Sequence, residues 1–204
     1  MKPLRTILIL LVTGIALGGC NAGNPPPAEN EGDYVNQVQV ARAELDQRFR
    51  QQPNQPVPPE KMNEFLPLKY FSPDAEYVVP ASLKPATERI VVEMPTSAGK
   101  IRKQQRVGVL EFTLKGQPLT LGAFVEAGAD INRLFVPFSD MTSGTETYAA
   151  GRYLELDRTP SGVYTIDFNK AYNPYCYYNA DFDCPYPPRE SRLPLPIRAG
   201  ERVP

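Results

Sequence analysis

Carboxylate side chains are the groups in this sequence that are best suited to catalysis, and they are concentrated in its C-terminal third. Asp167 and Glu190 are the predicted general acid and base, with Asp140 as a third candidate. Two carboxyl groups whose surroundings separate their pKa values can run hydrolysis without histidine, as in glycosidases. The pattern therefore permits a carboxylate-dependent hydrolase acting on a glycan or a small ester.

A ligand-binding surface is predicted from the polar residues around these carboxylates. An arginine can bind an anionic group or keep a nearby carboxylate ionised, while tyrosines can form an aromatic wall for a sugar or peptide. The predicted ligand-binding residues are Arg152, Tyr148, Asn169, Tyr172, Asn173 and Arg192.

The same residues also fit a purely structural role, and both interpretations stay open here. The segment from Asn169 to Leu193 is long and irregular, so its backbone groups must find partners in side chains. In that account Arg152 and Arg192 form buried salt bridges with Asp167 or Glu190. Long irregular loops are often functional, so the binding interpretation is also retained.

Composition excludes several classes of function. The 204 residues include no histidine, which rules out Ser-His-Asp and Cys-His catalysis and histidine zinc sites. The net charge is −1, so there is no basic surface for nucleic acid. Asn179, Asp181 and Asp183 resemble part of a calcium loop but lack its glycine and final glutamate. We therefore expect no metal, no cofactor and no nucleic-acid partner.

The sequence contains three cysteines, and their positions predict two different roles. Cys20 ends the sequence Leu17-Gly18-Gly19-Cys20, which follows a positively charged start and an apolar run of about ten residues, too short to span a membrane. This arrangement is typical of a lipoprotein signal whose cysteine is acylated. It predicts a bacterial envelope protein that is anchored by lipid on Cys20, with its folded domain outside the cytoplasm. In that oxidising compartment Cys176 and Cys184 are expected to form a disulfide.

The secondary-structure pattern predicts a single mainly β domain over residues 34–204, after a tether at 21–33. Asp33 is a candidate helix cap, and an apolar stripe on the following helix comprises Tyr34, Val38, Ala41, Leu45 and Phe49. Short runs with strand character follow at 76–79, 89–94, 107–114, 119–125, 134–138, 153–156 and 163–168. This spacing favours an antiparallel sandwich or a barrel-like sheet with one N-terminal helix and a long C-terminal irregular loop.

An ordered set of short motifs gives the sequence a family resemblance. The motifs are Thr142-Ser-Gly, Thr147-Tyr148, Gly151-Arg152-Tyr153, Asp167-Phe-Asn, Ala171-Tyr-Asn-Pro, Cys184-Pro185, Pro187-Pro188, Arg192-Leu193 and Ala199-Gly-Glu. Together they resemble the short members of the bacterial lipoprotein family called domain of unknown function 1684. Ala150, Ser191 and Tyr186 depart from the usual motif residues. The resemblance implies no particular reaction.

These observations predict a ligand-binding or structural accessory module of the cell envelope, with a small molecule or glycan as the candidate ligand. The alternative is the hydrolase with Asp167 and Glu190 as acid and base. A third interpretation is that the N-terminal helix serves only to bind a protein partner, whose identity is unknown.

Overall fold

The protein is built around one antiparallel sheet. A computed structural model describes residues 30–51, 55–126 and 133–204. The strands are β1 (Val78–Pro95), β2 (Ile101–Leu114), β3 (Gln117–Glu126), β4 (Arg133–Phe138), β5 (Arg152–Asp157) and β6 (Val163–Asp167). They are arranged in the order β5-β4-β3-β2-β1-β6, and the two edge strands approach each other. The sheet is therefore a nearly closed barrel, and the predicted mainly β class is confirmed.

Strand β1 corrects one detail of the prediction. The runs at 76–79 and 89–94 were expected to be separate short strands. In the structure residues 78–79 and 89–94 belong to the single strand β1, and residues 76–77 lie in the 3-10 turn that precedes it. The pairing of β1 with β2 shifts register between Pro85 and Ile90, and this irregularity lies where proline interrupts the sequence pattern. The predicted hairpin between β2 and β3 is confirmed, since Lys115 and Gly116 both have positive φ in a two-residue turn.

The main core fills the inside of the barrel. Leu110, Phe112 and Leu114 of β2 all point into it, as the alternating pattern predicts. The C-terminal segment contributes Leu193, Leu195, Ile197 and Ala199, which alternate in the same way although the segment forms no strand. The irregular C-terminal third is therefore part of the core.

Helix α1 (Glu31–Gln51) begins earlier than the sequence suggested. The Asn30 side chain accepts a hydrogen bond from the Asp33 amide at 2.7 Å, so Asn30 caps the helix in place of Asp33. The predicted signal peptide with Cys20, and residues 21–29 of the tether, lie outside the described residues. Within the described ranges, no helix combines the length and hydrophobicity needed to cross a membrane.

Hydrogen bonds along helix α1 join it to the barrel domain. The Tyr34 hydroxyl donates to Asp167 at 2.9 Å, and the Arg42 guanidinium donates to the carbonyl of Phe71 at 2.9 Å. The Leu68 amide donates to Asp46 at 2.9 Å. At the end of the helix a second apolar cluster forms from Phe49, Val57, Leu66, Leu68 and Tyr178, with short helix α2 (Met62–Phe65) beside it. The helix is therefore held at both ends.

Candidate functional site

Asp140 and Arg152 form a buried ion pair inside the domain. Arg152 is fully buried, and its Nη2 atom donates to Asp140 at 3.0 Å and to the Ile197 carbonyl at 2.7 Å. The other guanidinium nitrogen donates to the carbonyls of Ala199 and Glu201. Arg152 thus fixes the last segment of the chain to the barrel, which is a structural role.

Asp167 and Glu190, the predicted acid and base, have different partners. Asp167 is buried and accepts hydrogen bonds from the Tyr34 hydroxyl and the Asn169 amide. Glu190 is half-exposed and pairs with Arg106 on β2. Asp167 pairs with Val78 at the start of β1, whereas Arg106, the partner of Glu190, pairs with Ile90 further along the same strand, so the two carboxylates are separated along β1 and form no acid–base pair.

Three predicted ligand-binding residues do come together. Asn169, Tyr172 and Asn173 line one cavity of about 570 Å³, which we call the α1 cavity because helix α1 forms one of its walls. Tyr148 instead packs against the ring of Tyr177, with centroids 5.1 Å apart, and Arg192 is exposed. Neither of these two lines the α1 cavity.

The helical wall of the α1 cavity is mostly apolar. All five residues of the predicted apolar stripe line it, namely Tyr34, Val38, Ala41, Leu45 and Phe49, and the helix adds the polar residues Gln37, Arg42 and Arg48. Ala41, in the middle of this stripe, is exposed and lines the cavity. A volume of this size is within the range of small-molecule sites.

The opposite wall holds a buried carboxyl group, Glu201, which is 3% exposed. The Tyr178 hydroxyl donates to its Oε2 atom at 2.6 Å, and the Asn173 amide donates to the same atom at 2.8 Å. Burial disfavours the charged form and raises the pKa of Glu201 to about 7. At neutral pH this carboxyl group is therefore close to its titration midpoint.

Arg42 of helix α1 supplies a cation to the lining of the α1 cavity. Its guanidinium lies over the Tyr70 ring, 4.2 Å from the centroid, and also donates to the Asn169 carbonyl at 3.3 Å. Burial lowers the pKa of Arg42 from its ordinary value. Some buried polar atoms of the cavity lining have no hydrogen-bond partner. They are the Nε of Arg42, the hydroxyl of Tyr70 and the side-chain oxygen of Asn173.

The cavity residues Arg42, Tyr70 and Glu201 were not predicted as a site. Arg42 follows Val38 by four residues, a spacing that places both on one helix face and so gave a usable signal. Tyr70 carries no such signal. It reaches the cavity because it forms an isolated antiparallel bridge with Glu201, 131 positions further along the chain.

Cys176 and Cys184 are free thiols in the structure, which does not contain the expected disulfide. They are nevertheless adjacent, since the Cys176 amide donates to the Cys184 sulfur at 3.2 Å. Hydrogen bonding from Cys184 lowers the pKa of Cys176 to about 6, while the same interaction raises the pKa of Cys184. Across the described ranges, no cluster of three or more cysteine, aspartate or glutamate residues is arranged to hold a metal.

Comparison with known proteins places these features in a family. A family model described as "Protein of unknown function (DUF1684)" matches residues 63–202. A solution NMR structure of an uncharacterized protein from Haloarcula marismortui is 38% identical, with a TM-score of 0.67, and the match covers 84% of this chain and 95% of that one. No curated protein matches the chain. The family match includes the barrel and the Glu201 wall of the cavity but begins after helix α1. The chain therefore belongs to the DUF1684 family of proteins of unknown function.

Proposed function

We propose that the protein is a ligand-binding module and that the α1 cavity takes a small organic anion with an apolar body. The observation that carries this proposal is a cavity that offers apolar surface and polar groups together. Helix α1 contributes the apolar side chains of Val38, Ala41, Leu45 and Phe49 and also two guanidinium groups, and hydroxyl, amide and charged groups face them from the domain. A ligand with an apolar body and an anionic group satisfies both kinds of lining.

The charges around the cavity favour an anion over a cation. Arg42, Arg48 and Lys170 line it, against the carboxyl groups of Glu155 and Glu201. Glu155 already accepts a hydrogen bond from Arg133 outside the cavity, and Glu201 carries a raised pKa. Each carboxyl group therefore neutralises less than one positive charge of the cavity lining. The lining of the α1 cavity keeps an excess of positive charge.

Binding is proposed in place of hydrolysis because of where the carboxylates lie. The predicted pair Asp167 and Glu190 would need to reach the same substrate atom from two sides. Asp167 is engaged with Tyr34 and Asn169, and Glu190 is engaged with Arg106. Neither carboxylate lines the α1 cavity.

The cellular setting of this module is part of the proposal. The signal-like start and Cys20 support a lipid-anchored protein of the bacterial envelope, with residues 21–29 between the anchor and the described domain. A ligand captured at this location would come from the compartment outside the cytoplasm.

The test uses naphthalene-2-sulfonate, a rigid aromatic anion, titrated into the full-length protein by calorimetry. Ala41→Leu fills part of the cavity without disturbing the helix, because leucine is also a good helix former. Ala43→Leu is the matched control, since Ala43 is exposed on the same helix and does not line the cavity. We expect Ala41→Leu to weaken binding by about tenfold or more, and Ala43→Leu to leave it unchanged.

A second pair of variants tests the charge preference. Arg48 and Arg50 are both exposed on helix α1, but only Arg48 lines the cavity. Arg48→Gln is expected to weaken binding of naphthalene-2-sulfonate, and Arg50→Gln is not. Absence of saturable binding to the wild-type protein, or equal losses within either pair, would overturn the proposal.

A further inference from the structure

A second cavity, of about 520 Å³, lies beside the α1 cavity and differs from it in chemistry. The two cavities share one wall, formed by Glu155, Tyr172 and Tyr175. Tyr172 donates its hydroxyl hydrogen bond to Glu155 at 3.0 Å, which fixes this dividing wall. We call the second space the β2 cavity, because Arg102 and Gln104 of β2 form its floor.

Carboxylates and aromatic rings dominate the lining of the β2 cavity. Its four carboxylates are Glu126, Asp181, Asp183 and Glu155, the last of which also pairs with Arg133, and its aromatic residues are Phe135, Tyr153, Tyr172, Tyr175 and Phe182. Arg102 is the one basic residue in this lining, and it donates to the backbone carbonyl of Asp183 at 3.0 Å. Carboxylates together with aromatic faces are the groups that bind organic cations.

Gln104 provides an independent indication of what the β2 cavity binds. Its side chain is 4% exposed, and its Oε1 atom has no hydrogen-bond partner. A buried acceptor without a donor is costly, so it marks a place where a ligand can supply the missing N–H group. The neighbouring Gln105 does not line the cavity.

We infer that the β2 cavity is a second binding site, specific for an organic cation that carries N–H donors, such as a primary ammonium or a guanidinium group. The cation is held between the aromatic rings and the carboxylates, and one of its N–H groups donates to Gln104 Oε1. The site is chemically opposite to the proposed anion site and stands on different residues apart from the dividing wall.

The test uses benzylammonium, followed by NMR through the chemical shift of the Gln104 side-chain amide in the full-length protein. Benzyl alcohol is the uncharged comparison, and benzyltrimethylammonium keeps the charge but has no N–H donor. We expect saturable binding in the order benzylammonium, benzyltrimethylammonium, benzyl alcohol, with about tenfold between the first two.

Matched variants distinguish the contribution of the Gln104 acceptor to binding from that of the carboxylates. Where Gln104 itself is replaced, binding is followed through backbone amide chemical shifts. Gln104→Met removes the acceptor and is expected to abolish the preference for benzylammonium over benzyltrimethylammonium, while Gln105→Met preserves it. Asp181→Asn is expected to weaken both cations, because Asp181 lines the cavity, and Glu111→Gln, an exposed carboxylate of β2 outside the cavity, is not.

The outcomes also distinguish this site from the α1 cavity. Ala41→Leu is expected to leave benzylammonium binding unchanged, whatever it does to naphthalene-2-sulfonate. Binding of benzyl alcohol as tight as that of benzylammonium, or equal effects of Gln104→Met and Gln105→Met, would overturn the inference. So would loss of benzylammonium binding in Ala41→Leu.

Discussion

Tyr178 donates a hydrogen bond to Glu201 at 2.6 Å, and both side chains are buried. This contact joins the tyrosine-rich segment after β6 to the end of the chain. The same carboxyl oxygen accepts the Asn173 amide, so a single group organises two parts of the irregular C-terminal third. The domain wall of the α1 cavity depends on this arrangement.

Titration of Glu201 predicts a dependence of stability on pH. Its pKa is raised by burial from 4.5 to about 7, so the folded protein holds this proton more tightly than the unfolded chain. The stabilisation is fully present below about pH 4.5 and is lost as the pH rises through 7. The lowered pKa of Cys176 acts in the opposite direction, since a thiol with a pKa of about 6 adds stability as the pH rises above that value. We therefore expect urea unfolding to show a falling free energy of unfolding between pH 5 and 8 in a Cys176→Ser background, in which the variants below are also compared.

Glu201→Gln should remove most of this decline, since glutamine keeps an acceptor for Tyr178 but does not titrate. Glu146→Gln is the control. The pKa of Glu146 is lowered by its exposed pair with Arg198, so its contribution changes only in acid. An equally steep decline in Glu201→Gln would show that another group is responsible.

Replacement of Arg152 by methionine is expected to destabilise the fold strongly. It leaves Asp140 as a buried charge without its cation and frees three backbone carbonyls near the end of the chain. Breaking a buried pair in this way costs about 3–5 kcal/mol, which chemical denaturation can measure. Arg192→Met is the comparison and should stay close to wild type, because Arg192 is exposed. Similar losses in the two variants would contradict a structural role specific to Arg152.

Position 151 requires glycine because of its backbone conformation and the atoms packed around it. Its φ is +91°, and a Cβ atom would lie 2.4 Å from the Phe138 carbonyl oxygen and 2.9 Å from Pro187. Gly144 has a similar φ of +86°, but its Cβ would meet nothing closer than 3.8 Å. Gly144→Ala should therefore cost about 1 kcal/mol from backbone strain alone, and Gly151→Ala should cost clearly more, about 3 kcal/mol or above. Equal melting temperatures for the two variants would show that the close contacts relax freely.

The cysteine pair is predicted to form a disulfide when the protein is exposed to an oxidant such as a low-molecular-weight disulfide. Closing this short loop would stabilise the fold by about 2.5 kcal/mol in the chain-entropy description. The product should be lighter by two hydrogen atoms in denaturing mass spectrometry, and Cys176→Ser should abolish this change. In the reduced protein, iodoacetamide should modify Cys176 with a midpoint near pH 6 and well before Cys184. Faster modification of Cys184 would contradict the assignment.

Lipid attachment at Cys20 is predicted to decide where the protein resides in the cell. Radiolabelled palmitate should be incorporated into the wild-type protein and recovered in the membrane fraction. Cys20→Ser should lose the label, while Cys176→Ser should keep it. Labelling that survives Cys20→Ser would exclude this cysteine as the anchor.

The sequence by itself determined the mainly β class, the β2–β3 hairpin and the apolar face of helix α1. Each of these follows from local periodicity or turn chemistry, which a short stretch of residues specifies without help from the rest of the chain. It named Asn169, Tyr172 and Asn173 among six candidate ligand-binding residues, but it did not indicate that these three line one cavity.

Only the tertiary structure decided which polar residues are structural and which line a cavity. Arg152 and Arg42 are both arginines near apolar residues, yet one is fully buried against backbone carbonyls and the other lies in the cavity wall. The separation of Asp167 from Glu190 was also beyond prediction, because the segment between them forms only single 3-10 turns and no strand or α-helix that would fix its direction. Long-range pairing, such as the bridge between Tyr70 and Glu201, sets these positions, and no local pattern encodes it.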